Sequence, residues 1–367
     1  MTSDFTADPA ESLSANSLRV GSLRPHCSDV WAEMRAQLLR LPQAVASRPL
    51  TLEERPAPEP GPGEVRLTVS ACGVCRTDLH IVEGELRASQ YPIIPGHQII
   101  GRVDRLGEGS ARFAPGTRVG VAWLYASCRG CEFCGRGEEN LCPEARFTGL
   151  DYDGGYADYV VVHQDFAYPI PEGFSDVEAA PLLCAGIVGY RSLRKVDLRP
   201  GESLGLVGFG ASGHICLQVA RHWGCPVYVM TRSEEHRRHA RELGAAWAGG
   251  IEDSLQLQLD RIVLFAPAGG LVPSALEKLR LGGTLALNAA YMTPIPEMEY
   301  RLIYGERTIR SVANATRQDG EEFLKLAAQI PVQTDVRLYP LEVANEALLD
   351  LKESRINGAA VLEIGRA

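Results

Sequence analysis

The stretch Ser203-Leu-Gly-Leu-Val-Gly-Phe-Gly-Ala-Ser-Gly-His214 joins an apolar, strand-prone run to a segment of helical character through Gly208, Gly210 and Gly213. Glycines at this spacing permit a tight turn, close backbone approach to a pyrophosphate and close packing of helix on strand. The helix N-terminus adds N–H donors and a favourable dipole. A bare Gly-x-Gly-x-x-Gly carries little weight, but one set between strand and helix reads as a dinucleotide-binding turn. A tight structural turn in another α/β sheet is the bland alternative. Around it, strands are expected at 203–207, 227–231, 261–265, 284–287 and 308–312, with helices at 213–223, 234–243 and about 272–279. Alternation of this kind implies βαβ units and a parallel sheet wrapped by helices, an α/β class.

Upstream of Pro181 the pattern is different. Short strand-like pieces punctuated by glycine recur at 35–39, 65–71, 99–106, 118–123 and 156–162, and 54–63 is polar, proline-rich and loop-like. At the C-terminal end, helices near 321–329 and 341–351 and a strand at 359–364 are expected to return to this β-rich half. A chain of 367 residues exceeds what one core usually organises, so two domains are expected. Residues 1–33 show no sustained period and read as a disordered tail. A net charge of −9 argues against a nucleic-acid partner, which needs a basic face. No run approaches a membrane span and no export signal opens the chain, so a cytoplasmic protein without membrane contact is expected.

Ten cysteines in a long chain without an export signal point to metal ligation in preference to disulfides. Cys128, Cys131, Cys134 and Cys142 lie within a loop rich in glycine and charge. Four thiolates so close together can wrap one ion tetrahedrally, as in a structural zinc site, or hold an iron–sulfur cluster. Three further candidates are scattered: Cys75 in Cys-Gly-Val-Cys-Arg-Thr-Asp-Leu-His, His97 in Pro-Gly-His-Gln and Cys184 in Ala-Pro-Leu-Leu-Cys-Ala-Gly. Spacing alone does not join them, and a lone His or Cys is more often packed than ligating. Cys27, Cys72, Cys216 and Cys225 fit no ligand pattern and read as inert thiols.

Taken together and in this order, the two cysteine patterns and the glycine turn resemble the zinc-containing medium-chain alcohol dehydrogenase family over about residues 34–367. The resemblance implies a β-rich GroES-like catalytic domain, residues 34–183 and 316–367, interrupted by a doubly wound Rossmann nucleotide-binding domain, residues 184–315. It implies a catalytic zinc held by Cys75, His97 and Cys184 with an open fourth position, and a structural zinc on the four clustered cysteines. An alcohol at the open position would lose its proton and pass hydride as the alkoxide to a nicotinamide; in reverse, the metal would polarise an aldehyde or ketone. Thr77 and His80 match the family's proton relay, Asp78 a carboxylate that orients the His97 ring, and Arg76 a residue facing the pyrophosphate. A homo-oligomer is implied as well.

About 20 residues past the glycine turn, NAD enzymes place an acid against the ribose 2′-hydroxyl. Here the strand ends in Thr231, Arg232 and Ser233, which favours NADP over NAD because a guanidinium can meet a 2′-phosphate. The alternative is that Arg232 only opens a solvated helix carrying Glu234, Glu235, Arg237 and Arg238. Three departures from the family stand out: Gln98 replaces the usual Glu after the zinc-binding His, Asn357-Gly-Ala-Ala360 lacks a pyrophosphate-binding Arg, and Leu86 replaces the second Trp that accompanies Trp123 in the yeast-type enzymes. A polyol dehydrogenase and a non-catalytic zinc- and nucleotide-binding member of the same fold are the alternative functions. The first commonly uses a Glu ligand that Gln98 cannot supply, and the second should have lost ligands or relay residues that are all present.

Overall fold

The structure, a computed structural model, describes residues 32–330 and 332–365. The tail expectation for 1–33, apart from its last two residues, and that for Cys27 lie outside the described residues. Strand β1 (Glu33–Leu39) pairs antiparallel with β2 (Leu50–Pro56). Residues 54–56, expected in a loop, belong to this strand.

The longest strand, β3 (Glu64–Val74), alternates at first, with Val65, Leu67 and Val69 facing the core, and is then buried on both faces from Ala71 to Val74. Such a strand needs neighbours on both edges. It finds β4 (Gln98–Leu106) on one side, which in turn carries β5 (Arg118–Val121). The short β6 (Leu124–Ala126) and β7 (Arg146–Phe147) form a separate ribbon. Next, β8 (Tyr159–His163) pairs with the start of β3, and β9 (Ala167–Pro169) with β5.

The second sheet is wholly parallel: β10 (Leu204–Val207), β11 (Val227–Met230), β12 (Trp247–Gly249), β13 (Leu259–Leu264), β14 (Leu279–Leu287) and β15 (Thr308–Ser311) lie in the order β12-β11-β10-β13-β14-β15. The chain runs outward from β10 to β12 and then returns to β13 on the other side, so the carboxyl ends of β10 and β13 flank the point where direction reverses. In open parallel sheets ligands bind there. The first sheet is completed from far along the chain by β16 (Val336–Pro340) and β17 (Ala359–Glu363), the latter antiparallel to β3 with Ala360 opposite Val74.

Helices α1 (Arg76–Glu83), α2 (Glu132–Gly135) and α3 (Asp176–Ala179) belong to the first half of the chain. Then come α4 (Ala185–Lys195), α5 (Ala211–His222), α6 (Glu234–Glu242), α7 (Val272–Glu277), α8 (Arg317–Gln329) and α9 (Ala344–Lys352). Among the described residues no helix is long and apolar enough to cross a membrane. Helix α4 has no counterpart in the reading of the sequence, because Gly186, Gly189 and its β-branched residues lower local propensity. Packing overrides that: a Cβ on Gly189 would lie 2.6 Å from the Cys216 sulfur of α5, so glycine lets the two helices approach. Helix α8 starts at Arg317, earlier than the expected 321, because Thr316 and Asp319 form a capping box that a following Gly320 disguises.

Asp319 is 1% exposed and does more than cap. Its carboxylate accepts from Thr316 N at 2.9 Å and pairs with Arg191 at 2.5 Å and Arg194 at 3.1 Å, both on α4. It thereby locks α8 to the helix that follows Cys184. Asp319→Ala leaves the buried Arg191 uncompensated and removes the cap, with an expected loss of about 3–5 kcal/mol in unfolding free energy measured by urea titration. A loss under ~1 kcal/mol would show that solvent replaces the carboxylate without cost.

Candidate active site and metal centres

Three scattered side chains meet where β3 ends and β4 and α4 begin. Cys75 follows the last residue of β3 and is the N-cap of α1. Its backbone N–H donates to Asp78 Oδ2 at 2.8 Å, while its sulfur accepts from Thr77 N at 3.3 Å. The other oxygen of Asp78 accepts from His97 Nδ1 at 3.1 Å. A carboxylate only accepts, so Nδ1 carries the hydrogen and Nε2 is left facing the Cys75 sulfur, 3.3 Å away. Asp78 and His97 are both fully buried. Cys184 completes the group at the junction of a short 3₁₀ turn, Ala180–Leu183, and α4.

The donor atoms of Cys75, His97 and Cys184 all lie within 4.8 Å of one another. Ligands around one tetrahedral zinc, at about 2.0–2.3 Å from the ion, are separated by roughly 3.3–3.8 Å, so this set fits a single cation. Its electrostatics agree. Burial opposes a charged His97 ring, but the charges of Cys75 and Asp78 outweigh it and push the ring up to about 10. The Cys184 thiol and burial together hold the Cys75 thiol well above the ordinary range. An anionic donor set without positive charge draws in protons, and a metal ion can take their place.

Gln98 follows His97 as the first residue of β4. It is buried, and its side chain fills the space over β3, where a Cβ on Gly73 would come within 2.8 Å of its Cδ. Trp123 stands edge-on to His97 at 4.9 Å and stacks on Phe147 at 5.1 Å. On α1, Thr77 is half-buried and His80 is buried against the Glu85 carboxylate, with the Tyr291 ring 5.8 Å away. Glu85, Phe147 and Tyr291 were not legible in the sequence. Glu85 stands beyond the turn at Gly84, and the other two arrive from distant loops.

The second cluster is compact. The sulfurs of Cys128, Cys131, Cys134 and Cys142 also lie within 4.8 Å of one another, with pairs at 3.5, 3.6 and 3.9 Å. These separations exceed a disulfide bond and match the edge of a tetrahedral zinc–thiolate shell, about 3.8 Å. Backbone N–H groups of Gly130 and Cys131 draw the Cys128 thiol down to about 7, while burial pushes Cys142 up to about 11.

On the parallel sheet the glycine turn leaves β10 at its carboxyl end. Gly208 has φ of 95°, which glycine adopts freely, and its N–H donates to Met230 O of β11 at 2.9 Å. Gly210 is the N-cap of α5, where a Cβ would meet nothing, so this backbone face is open to a ligand. A Cβ on Gly213 would come within 2.9 Å of Gly208 O. Thr231 and Arg232 follow β11. Thr231 N donates to Gly249 O at 2.8 Å, and its carbonyl accepts from Arg237 Nε at 2.9 Å. Arg232 and Arg76 are exposed.

Residues 61–172 match the alcohol dehydrogenase GroES-like domain, and residues 211–329 match the zinc-binding dehydrogenase family. The chain is 47% identical to the probable alcohol dehydrogenase AdhA of Mycobacterium tuberculosis, over 91% of this chain and 98% of that protein. It is 34% identical to an alcohol dehydrogenase of Geobacillus stearothermophilus, over 86% of this chain and 97% of the relative. Among solved structures, a cinnamyl alcohol dehydrogenase of Sorghum bicolor superposes with a TM-score of 0.83 at 31% identity, covering 90% of this chain and 98% of that one. A GroES-like part joined to a parallel nucleotide-binding sheet, with cysteine and histidine donors gathered beside it, defines a zinc-binding oxidoreductase. This chain belongs to the zinc-containing medium-chain alcohol dehydrogenase family.

Because Asp78 holds both the Cys75 turn and the His97 ring, Asp78→Asn is expected to weaken zinc binding about 10- to 100-fold in a competition titration against a chelator. Unchanged affinity would show that the ring keeps its orientation without the carboxylate.

Proposed function

We propose that this enzyme transfers hydride between a primary or secondary alcohol and NADP(H). Cys75, His97 and Cys184 would hold the catalytic zinc, and Cys128, Cys131, Cys134 and Cys142 a second, structural one. The observation that carries the reading is the convergence of the first three donors, with the His97 ring turned by Asp78. Once bound, zinc supplies a Lewis acid and the nicotinamide a hydride acceptor. The group offers three protein ligands, and Gln98 next to His97 supplies no carboxylate, which speaks against the polyol alternative. The four-cysteine sulfurs sit too close together to enclose a multi-iron cluster and suit one ion.

Around that centre each residue has a task. Trp123 walls the substrate side and, through Phe147, is kept from rotating. Thr77 would accept the proton of the substrate hydroxyl by hydrogen bonding and pass it toward His80, whose ring Glu85 contacts. The glycine turn and the N-terminus of α5 bind the pyrophosphate, with Arg76 as a facing cation. The reading divides the chain into a catalytic part, 34–183 and 316–367, and a nucleotide part, 184–315, along the membership of the two sheets. A reducing, cytoplasmic setting suits the free thiols. A homo-oligomer would cover the exposed Leu281, Tyr300 and Tyr304 beside the edge strand β15.

Cys75→Ala is expected to abolish turnover of a simple primary alcohol while leaving the circular dichroism spectrum unchanged. Cys131→Ala should instead lower the melting temperature, because metal binding there contributes directly to folding. Full activity in Cys75→Ala, checked alongside zinc content, would overturn the ligand assignment.

The preference for NADP rests on the end of β11. Glu234, the next acid along the chain, is engaged by Arg237 and Arg241, each at 3.2 Å, and Ser233 is spent capping α6 by accepting from His236 N. That leaves the exposed Arg232 and the Thr231 hydroxyl as the groups available to a 2′-phosphate. The ratio of kcat/KM for NADPH over NADH is expected to favour NADPH in the parent and to fall by at least ~10-fold in the double variant Thr231→Asp with Arg232→Ala. A parent that prefers NADH refutes this preference.

A further inference from the structure

Behind the turns that carry Cys75 and His97 lies a buried polar atom to which no task has yet been given. Tyr156 is 0% exposed, and its hydroxyl is buried without a hydrogen-bond partner among the described residues. A buried hydroxyl left idle is destabilising, and phenylalanine would fill the same space without that cost. The oxygen therefore needs an explanation.

The chain holds this residue tightly against the segment that delivers His97. Gly154 N donates to Ile94 O at 2.7 Å, Gly155 N to Gly96 O at 2.9 Å and Tyr156 N to Pro95 O at 3.0 Å, while Tyr156 O accepts from Gln37 N at 2.9 Å. The ring packs on the same turn: a Cβ on Gly96 would come within 2.8 Å of Tyr156 Cε1 and 2.9 Å of Cys72 Sγ. With backbone and ring both confined, the hydroxyl has a fixed position.

Cys72, Cys75 and Asp78 are the acceptors whose charges act on it. Burial, and after it the charge of Asp78, hold the phenol proton in place well above the ordinary range. Burial likewise keeps Cys72 a neutral thiol, which accepts only weakly. The Cys75 sulfur already accepts from Thr77 N and belongs to the metal donors. Asp78 has capacity to spare: a carboxylate offers about four lone-pair sites, and only Cys75 N and His97 Nδ1 engage it. Held by two donors, its plane can still rock about the Cβ–Cγ bond. A third donor on a rigid ring would stop that motion.

We propose that the Tyr156 hydroxyl donates a hydrogen bond to the Asp78 carboxylate, which makes Tyr156 a positioning residue for the His97 and Cys75 donors. This rests on the functional reading above. Because the ring is confined, the pair closes through a turn of the carboxylate toward it. Tyr156 acts through Asp78 alone, by fixing the plane in which the carboxylate meets the His97 ring hydrogen and the Cys75 N–H.

The test is competition with a chelator for zinc at Cys75, His97 and Cys184, in enzyme whose four-cysteine site stays loaded. The parent is compared with Tyr156→Phe, Asp78→Ala and the double variant. Tyr156→Phe keeps the ring, so a role in packing alone would leave zinc affinity where it was. The expected result is zinc binding about 3- to 10-fold weaker in Tyr156→Phe, with no further loss when the same change is made in Asp78→Ala. Should Asp78→Ala take up no metal there, the visible bands of cobalt(II) in the same site decide: a shift in Tyr156→Phe supports the proposal, and bands identical to the parent overturn it. Unchanged zinc affinity in Tyr156→Phe, or an equal loss with and without the Asp78 carboxylate, also overturns it. Unchanged affinity together with a higher urea midpoint would show that the hydroxyl is idle. A parent that takes up no zinc at these three residues would sink the functional reading itself; a normal parent with an unaltered Tyr156→Phe variant sinks only the role of Tyr156.

Discussion

The Asp78 carboxylate is the smallest part on which the active site depends. One oxygen closes the first turn of α1 by accepting from Cys75 N, and the other takes the His97 ring hydrogen. A single buried anion thus sets the direction of two donor side chains that lie 22 positions apart in sequence. It can remain buried because both of its oxygens are satisfied and because the set it supports attracts positive charge. Cys184 is brought to the same place by different means, through the helix it precedes, which Asp319 fastens to α8.

How much of this was legible beforehand depends on whether the signal was local. The glycine turn, the four clustered cysteines and the alternation of strand and helix are short-range patterns, and the parallel sheet follows them closely. Cys75, His97 and Cys184 could be grouped only by resemblance, since nothing in the residues between positions 75 and 184 tells that β3 ends where β4 and α4 begin. Helix α4 was hidden by its glycines, which are poor helix formers and good packers. Glu85 behind His80 and Phe147 behind Trp123 are tertiary facts, without a periodic or compositional trace.

The four-cysteine lobe also gains a meaning beyond its own stability. Its sulfurs gather the segment from Cys128 to Cys142, but Glu139 and Asn140 at its end reach the loop after β15 and the start of α8. Asn140 also accepts from Arg191 of α4 at 3.5 Å. The lobe therefore touches the loop after β15, the start of α8 and the helix that Cys184 precedes. Chemistry and scaffolding are separated into two cysteine clusters, yet a short polar network joins them.

The pairing of β17 with β3 bears on how the molecule comes into being. Every strand of the parallel sheet lies within residues 204–311, so that sheet can form from one continuous piece of chain. The other sheet cannot be finished in this way, because Val74 waits for Ala360. During synthesis the edge beside the Cys75 turn stays unpaired until residues 360–363 have left the ribosome. Closing so long a loop adds only slowly growing entropy, but it ties the edge to the slowest class of contact. The seat for the metal is thus completed after the seat for the nucleotide, and an unfinished chain would expose bare thiols and an open strand edge, the surfaces on which a nascent protein most needs protection.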